Sequence, residues 1–220
     1  MMLKMSHQKM EEPISIHNLT MLSIAHPLLF RQIVSECSRY DGNGDIKLFL
    51  DIDFKSLKAT DVITITDILG YELNTTATLK TIYSTIEKRL NQNHETIVEI
   101  EELLEELSEQ VSKELLEYEL ELFVDDFSIP VLLKALLVKL NITENEILDK
   151  IYQIIEVFRH FQKAKILIFI NLSTYLSESD IIGVEEYCKL SGADVLMIES
   201  GDKKLIENSY YLDEDMVLVK

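Results

Sequence analysis

The segment 117-EYELELFVDDF-127 alternates Glu117, Glu119 and Glu121 with Tyr118, Leu120 and Leu122, then adds Asp125 and Asp126. Alternation at two residues is the pattern of a strand, here from 118 to 124, with one acidic and one apolar face. Carboxylates two residues apart on such a face stand about 6.6–7 Å from one another. Hard oxygen donors gathered without Cys or His select calcium or magnesium, and calcium accepts about six to eight ligands in loose geometry. Three readings follow from these residues. A calcium cluster with a structural duty is favoured, because Asp125 and Asp126 extend an already acidic helix end. Paired carboxylates would also suit a metal-dependent nuclease, and a half-exposed edge strand with a solvated acidic face needs no ion.

The acidity is local. From Glu95 to Asp126 there are 13 acids and one base, Lys113, whereas residues 127–165 carry four acids and six bases. The formal charge of −18 opposes indiscriminate binding of nucleic acid, which draws on a basic surface to displace phosphate counterions.

Other chemistries find no residues. Neither GxxxxGK[ST] nor GxGxxG occurs, so no glycine-rich turn offers its N–H groups to phosphate. Where a first strand hands over to its helix the chain has 24-IAHPLL-29, and Pro27 lacks the N–H such a cradle uses. The turn 41-DGNGDI-46 resembles the start of an EF-hand loop, but Ile46 and Ile52 stand where the loop requires glycine and a bidentate Glu. It is read as a plain turn. Five scattered histidines and no GxSxG leave no visible nucleophile and base, and Cys37 and Cys188 lack metal or redox spacing, so both are expected as reduced core thiols.

The elements that must position the acidic segment are those of an α/β protein. Residues 14–18, 20–25, 46–53 and 62–69 read as strands, and 27–40 as a helix opened by Pro27. A long helical pattern starts at Thr75, pauses at 91-NQNHE-95 and resumes to Val111. Ser128 and Pro130 open a further helix through Leu140, and Thr143 with Glu146 forms a capping-box pattern for another reaching Phe161. Strand 165–171, helix 178–192 ended by Gly192 and strand 194–200 make a unit that requires a mainly parallel sheet. The N-terminal strands and 210–220 are expected to join that sheet. The α/β domain is then discontinuous, and a helical arm is inserted between its halves. With 47% hydrophobic residues, no apolar run near the roughly 20 residues of a membrane span and a polar start, the expected location is cytoplasmic.

The stretches 61-DVITITDILGYELNTTATLKTIY-83, 114-ELLEYELELFVDDFSIPVLLKAL-136, 163-KAKILIFINL-172 and 211-YLDEDMVLVK-220 together resemble the small, non-nuclease Csn adaptation proteins of type II-A CRISPR loci. The resemblance implies a P-loop-NTPase-like α/β head that lacks a nucleotide site, at 1–73 and 158–220, with an α-helical leg at 74–157. It further implies a homotetrameric ring, not an enzyme, that holds the ends of linear double-stranded DNA during spacer acquisition, beside the CRISPR integrase proteins and the effector nuclease. On this resemblance Glu119, Glu121, Asp125 and Asp126 would bind Ca2+ at the leg, and Lys134, Lys139 and Lys150 would face DNA phosphates.

Overall fold

The computed structural model describes residues 2–52, 55–142, 146–161 and 164–220. The chain divides into two compact units: residues 1–72 with 142–220, and Leu73–Asn141. The second boundary falls at Asn141, ahead of the expected 157, because the helix Ile147–Phe161 buries Ile151, Ile154, Ile155, Val157 and Phe158 and belongs to the first unit.

In chain order the first unit contains β1 (Leu3–Ser6), β2 (Ile14–Ile16), β3 (Leu19–Ile24), α1 (Pro27–Ser38), β4 (Lys47–Leu50), β5 (Lys55–Ser56) and β6 (Val62–Ile65). The second supplies α2 (Thr76–Leu90), α3 (His94–Leu115) and α4 (Ile129–Ala135). The first resumes with α5 (Ile147–Phe161), β7 (Ile166–Ile170), α6 (Glu178–Ser191), β8 (Val195–Ser200), β9 (Ser209–Leu212) and β10 (Leu218–Val219). None of the described helices is long and apolar enough to cross a membrane.

Two sheets form among the described residues. The larger has the order β10-β9-β3-β8-β7-β6, parallel except for the β9–β10 pair. Its central strands β3, β7 and β8 are buried nearly end to end, as a sheet covered on both faces requires. Leu22, Ile24, Ile166, Ile168, Leu196 and Ile198 share one core with Leu29, Ile33 and Cys37 of α1. The opposite parity, including Met21, Leu167, Phe169 and Met197, is buried as well. Cover for it comes from α6, which touches β3, and from α5, which packs on α6.

Of the N-terminal strands expected in the main sheet, β3 and β6 join it, as do β9 and β10, but 14–16 and 47–50 do not. β2, β1, β4 and β5 form a separate antiparallel sheet in that order. Its β1 lies in what reads as a polar leader, where only Leu3 and Met5 alternate inward. Four residues give too short an alternation to stand out from sequence.

In the second unit α2 packs against α4, with Ile82, Ile129 and Leu133 buried. α4 stops at Ala135 instead of continuing to Leu140, and Leu137 takes a left-handed φ of 55°. The segment beyond it is tied to α2 instead. Tyr83 Oη donates to the Val138 carbonyl at 2.6 Å, Asn74 Nδ2 donates to the Leu140 carbonyl at 3.0 Å, and the Leu140 N–H donates to Asn74 Oδ1 at 2.9 Å. Asn74 thus satisfies both backbone groups of Leu140, as a neighbouring strand would, and removes the need for further helical turns.

The expected strand at 118–124 is absent. After α3 the chain makes a turn closed by Tyr118 N–H to the Leu115 carbonyl and then runs without ladder partners to Ser128. Alternation alone does not make a strand; the backbone needs a partner to receive its hydrogen bonds, and this exposed segment has none. The helix limits expected at Thr75 and Gly192 fare better. Thr75 accepts from the Thr78 N–H, and Gly192 closes α6 at φ 68°. Thr143 of the capping-box pattern lies outside the described residues.

Both cysteines are buried and unpaired, and burial pushes each thiol up to about 12 from an ordinary value of 9.0. Only the thiolate is nucleophilic. We therefore expect neither to react with iodoacetamide at pH 8 in the native protein and both to react in denaturant, as read by mass spectrometry. Because these pKa values are raised in the folded state, their contribution is complete below pH 9 and is lost as pH climbs toward 12.

Candidate functional site

The residues of α3 repeat acids at four-residue steps, Glu101, Glu105 and Glu109, which places them on one face of the helix. Asn93 caps the start of this helix by accepting the Thr96 N–H at 3.4 Å. Opposite that face runs the extended segment Val124–Phe127. Between them lies an open groove of about 540 Å³, lined by Glu101, Glu105, Glu109, Asp125 and Asp126, with Lys113 its one base. Like charges at four-residue spacing destabilise an isolated helix by roughly 0.2–0.5 kcal/mol per pair. The groove therefore concentrates negative potential that a cation would relieve.

Of the residues expected to bind metal, Asp125 and Asp126 reach this groove, and the Asp126 N–H donates to Asp125 Oδ1 at 2.9 Å. Glu119 and Glu121 are exposed and do not line it. Among the described residues no three ligand atoms of this segment lie within 4.8 Å of one another. The donor set is nevertheless all oxygen, the chemistry that calcium and magnesium take. Sequence reading missed Glu101, Glu105 and Glu109 as partners of Asp125 and Asp126. Their four-residue spacing was visible, but nothing in it said that the segment after α3 would fold back along that face.

The expected phosphate-facing lysines separate into two groups. Lys134 is exposed in the last turn of α4. Lys139 is exposed beyond the helix end, between Val138 and Leu140, whose backbone groups are held by Tyr83 and Asn74. It is not on the helix with Lys134, as the longer expected helix would have placed it. Lys150 belongs to the other unit, on α5, and donates to the Leu69 carbonyl at 2.8 Å.

α3 also carries an apolar stripe. Leu103, Leu107 and Val111 lie at four-residue steps on a different side from the acids, with exposures of 66%, 54% and 43%, and no residue of this 22-residue helix is buried. Leu116, Tyr118, Leu120, Leu122 and Phe123 continue the exposed apolar surface. Isolated exposed apolar side chains are ordinary, whereas runs of them along one helix are a pattern common at interaction surfaces.

At the head of the larger sheet, β3 ends at Ile24 and α1 starts at Pro27. His26 caps that helix, its Nδ1 accepting the Leu29 N–H at 3.4 Å. With Pro27 carrying no N–H and His26 engaging Leu29, this helix start keeps few donors for an anion.

An α/β unit with a mainly parallel six-stranded sheet, interrupted in sequence by a helical unit that carries an acidic groove, defines the class of protein. Comparison with known proteins gives the family. Residues 39–216 match the family model described as CRISPR-associated protein (Cas_Csn2). The "CRISPR-associated protein Csn2" of Enterococcus faecalis is 39% identical over 218 residues, covering 98% of each chain. That of Streptococcus agalactiae is 33% identical over 219 residues, covering 99% of this chain and 98% of its own. The chain belongs to the Csn2 family of CRISPR-associated proteins. A solved structure described as "Crystal structure of Stu0660 of Streptococcus thermophilus" superposes with a TM-score of 0.56, covering 97% of this chain and 74% of that one; at 16% identity the likeness concerns the fold.

Charge repulsion in the groove has a direct readout. Glu105→Gln is expected to raise the melting temperature in chelator at low ionic strength, and the gain should vanish in high salt, where exposed charges are screened. Circular dichroism at 222 nm on the two proteins in parallel checks this.

Proposed function

We propose that this chain is a non-enzymatic, calcium-dependent homotetrameric ring that binds the ends of linear double-stranded DNA without reading sequence, in the adaptation step of CRISPR defence. Membership in the Csn2 family supports the setting, and the observation that carries the reading is α3 with its continuation. This surface is apolar along one side and acidic along another, and its own chain buries none of the helix. A second copy would cover the stripe, and calcium at Asp125 and Asp126 would offset the acids that line the groove with them. Glu119 and Glu121 join as ligands only if the segment between α3 and α4 closes up on binding.

The head is then a P-loop-like sheet without its nucleotide site, a reading supported by the capped, proline-led start of α1. DNA enters through phosphate contacts. Lys134 and Lys139, four times repeated in a ring, supply charge that a single acidic chain lacks, and lysines without a converging set of Arg, Asn or Gln favour backbone contact over base reading. Lys150 contributes once it leaves the Leu69 carbonyl. The integrase proteins and effector nuclease of the locus are the protein partners of this reading, and the cytoplasm is its location.

Two measurements test it. Solution mass should fall from tetramer when calcium is chelated, and Asp125→Asn with Glu121→Gln should show the lower mass at calcium concentrations that hold the parent together, while the head keeps its circular dichroism. Unchanged mass in chelator would remove the calcium part of the proposal. For DNA, a linear duplex should be retained and a covalently closed circle should not. Affinity should fall with a log–log salt slope of about −0.9 per phosphate neutralised, and joint replacement of Lys134 and Lys139 by Glu should weaken binding at unchanged mass. Equal retention of circles would rule out threading, and shortened DNA in magnesium or manganese would point to a nuclease using the same carboxylates.

A further inference from the structure

A second group of ligand-type side chains lies in the other unit, on three segments far apart in sequence. His7 follows β1, Glu36 is in the last turn of α1, and Asp45 closes the turn before β4. One ligand atom from each lies within 4.8 Å of the others. His7 is only 3% exposed, and its Nε2 has no hydrogen-bond partner although it stands 3.9 Å from Glu36 Oε1. A buried ring nitrogen left unpaired costs free energy that some ligand would ordinarily recover.

The two carboxylates face the same point with no cation to account for it. Gln32 Nε2 donates to Glu36 Oε1 at 2.9 Å and to Asp45 Oδ2 at 3.4 Å, so a neutral amide bridges two negative charges. Among the described residues no lysine or arginine pairs with either acid; Lys9 Nζ stops one step away, at Gln32 Oε1. The frame around them is firm. Glu36 Oε2 accepts the Ile46 N–H at 3.0 Å, Gly42 takes φ 82° in the turn, Lys47 Nζ donates to its carbonyl at 2.8 Å, and Asp41 accepts the Asn43 N–H.

We propose that His7, Glu36 and Asp45 form a binding site for one divalent transition ion of the zinc class, which fastens the residues after β1 to α1 and to the 41–46 turn. One imidazole nitrogen and two carboxylate oxygens suit zinc and its neighbours, whereas calcium and magnesium take oxygen alone. Ligands on a tetrahedral ion with bonds of about 2.0–2.1 Å stand about 3.3 Å apart, so side-chain shifts of at most about 1.5 Å close the set. Gln32 leaves the space between the acids, and turning its amide brings an oxygen to the ion as a fourth ligand. His7 Nδ1 now accepts the Lys9 N–H at 3.2 Å, which puts the ring proton on Nε2. Metal at Nε2 moves that proton to Nδ1 and breaks the Lys9 contact. The site is independent of the acidic groove beside α3.

The test uses the full chain stripped with chelator and returned to buffer containing calcium, so that oxygen-only sites are filled. Zinc should bind with a stoichiometry of one per chain by calorimetry and raise the melting temperature. Cobalt(II) in its place should develop visible absorption bands, and the Lys9 backbone amide should shift in nitrogen-15 spectra. His7→Gln and Asp45→Asn should each lower zinc affinity by roughly tenfold or more, and Asp125→Asn should leave it unchanged. Should His7→Gln fail to fold, Asp45→Asn in the surface turn decides alone. No zinc binding by the parent, full affinity in Asp45→Asn, or loss of affinity in Asp125→Asn would each overturn the assignment.

Discussion

The larger sheet depends on where β3 sits. It pairs in parallel with β8 on one side and β9 on the other, so a strand from the first two dozen residues lies between two from the last twenty-six. Contacts this distant in sequence are costly to close, and they bring no return until several strands are in place. Once β3 is seated, both faces of the sheet are defined. α1 covers the parity that includes Leu22 and Ile24, and α6 with α5 covers the other. The Ser173 hydroxyl and N–H add a polar clasp at one end by binding Glu199, a fully buried carboxylate that Lys203 also meets at 3.4 Å.

The second unit obeys a different rule. It is one continuous stretch of helices with a small buried set around Ile82, Ile129 and Leu133, and its longest helix contributes nothing to that set. Such a helix draws little stability from burial within its own unit. The same exposed arrangement leaves the acidic groove open to solvent ions. The first unit buries its apolar faces within its own fold, while the second leaves the apolar and acidic faces of α3 exposed.

Helices and central strands were legible because each had many residues with a single periodicity. α2 and α3 followed from apolar steps of three and four, with the break at 91–93 marked by Asn, Gln and Asn, and β7 and β8 followed from runs apolar on both faces. The acidic segment was misread because Glu117 to Val124 alternates as a strand does while lacking any partner to pair with. α4 was overextended because the device that ends it, Asn74 at Leu140, lies 66 residues upstream and leaves no local mark. Of the candidate site, Asp125 and Asp126 were found from composition. Glu101, Glu105 and Glu109 required knowing where the chain folds back, and His7, Glu36 and Asp45 required the pairing of β1 with β4.

The continuity of the second unit has a consequence for biosynthesis. Every residue of that unit precedes β7, β8 and β9 in the chain, so it is synthesised before β3 gains its neighbours β8 and β9. Domains generally fold as units during synthesis, so the helical unit can begin to fold beside an unfinished head. Throughout that stage the stripe of Leu103, Leu107 and Val111 faces the other nascent chains of the same polysome.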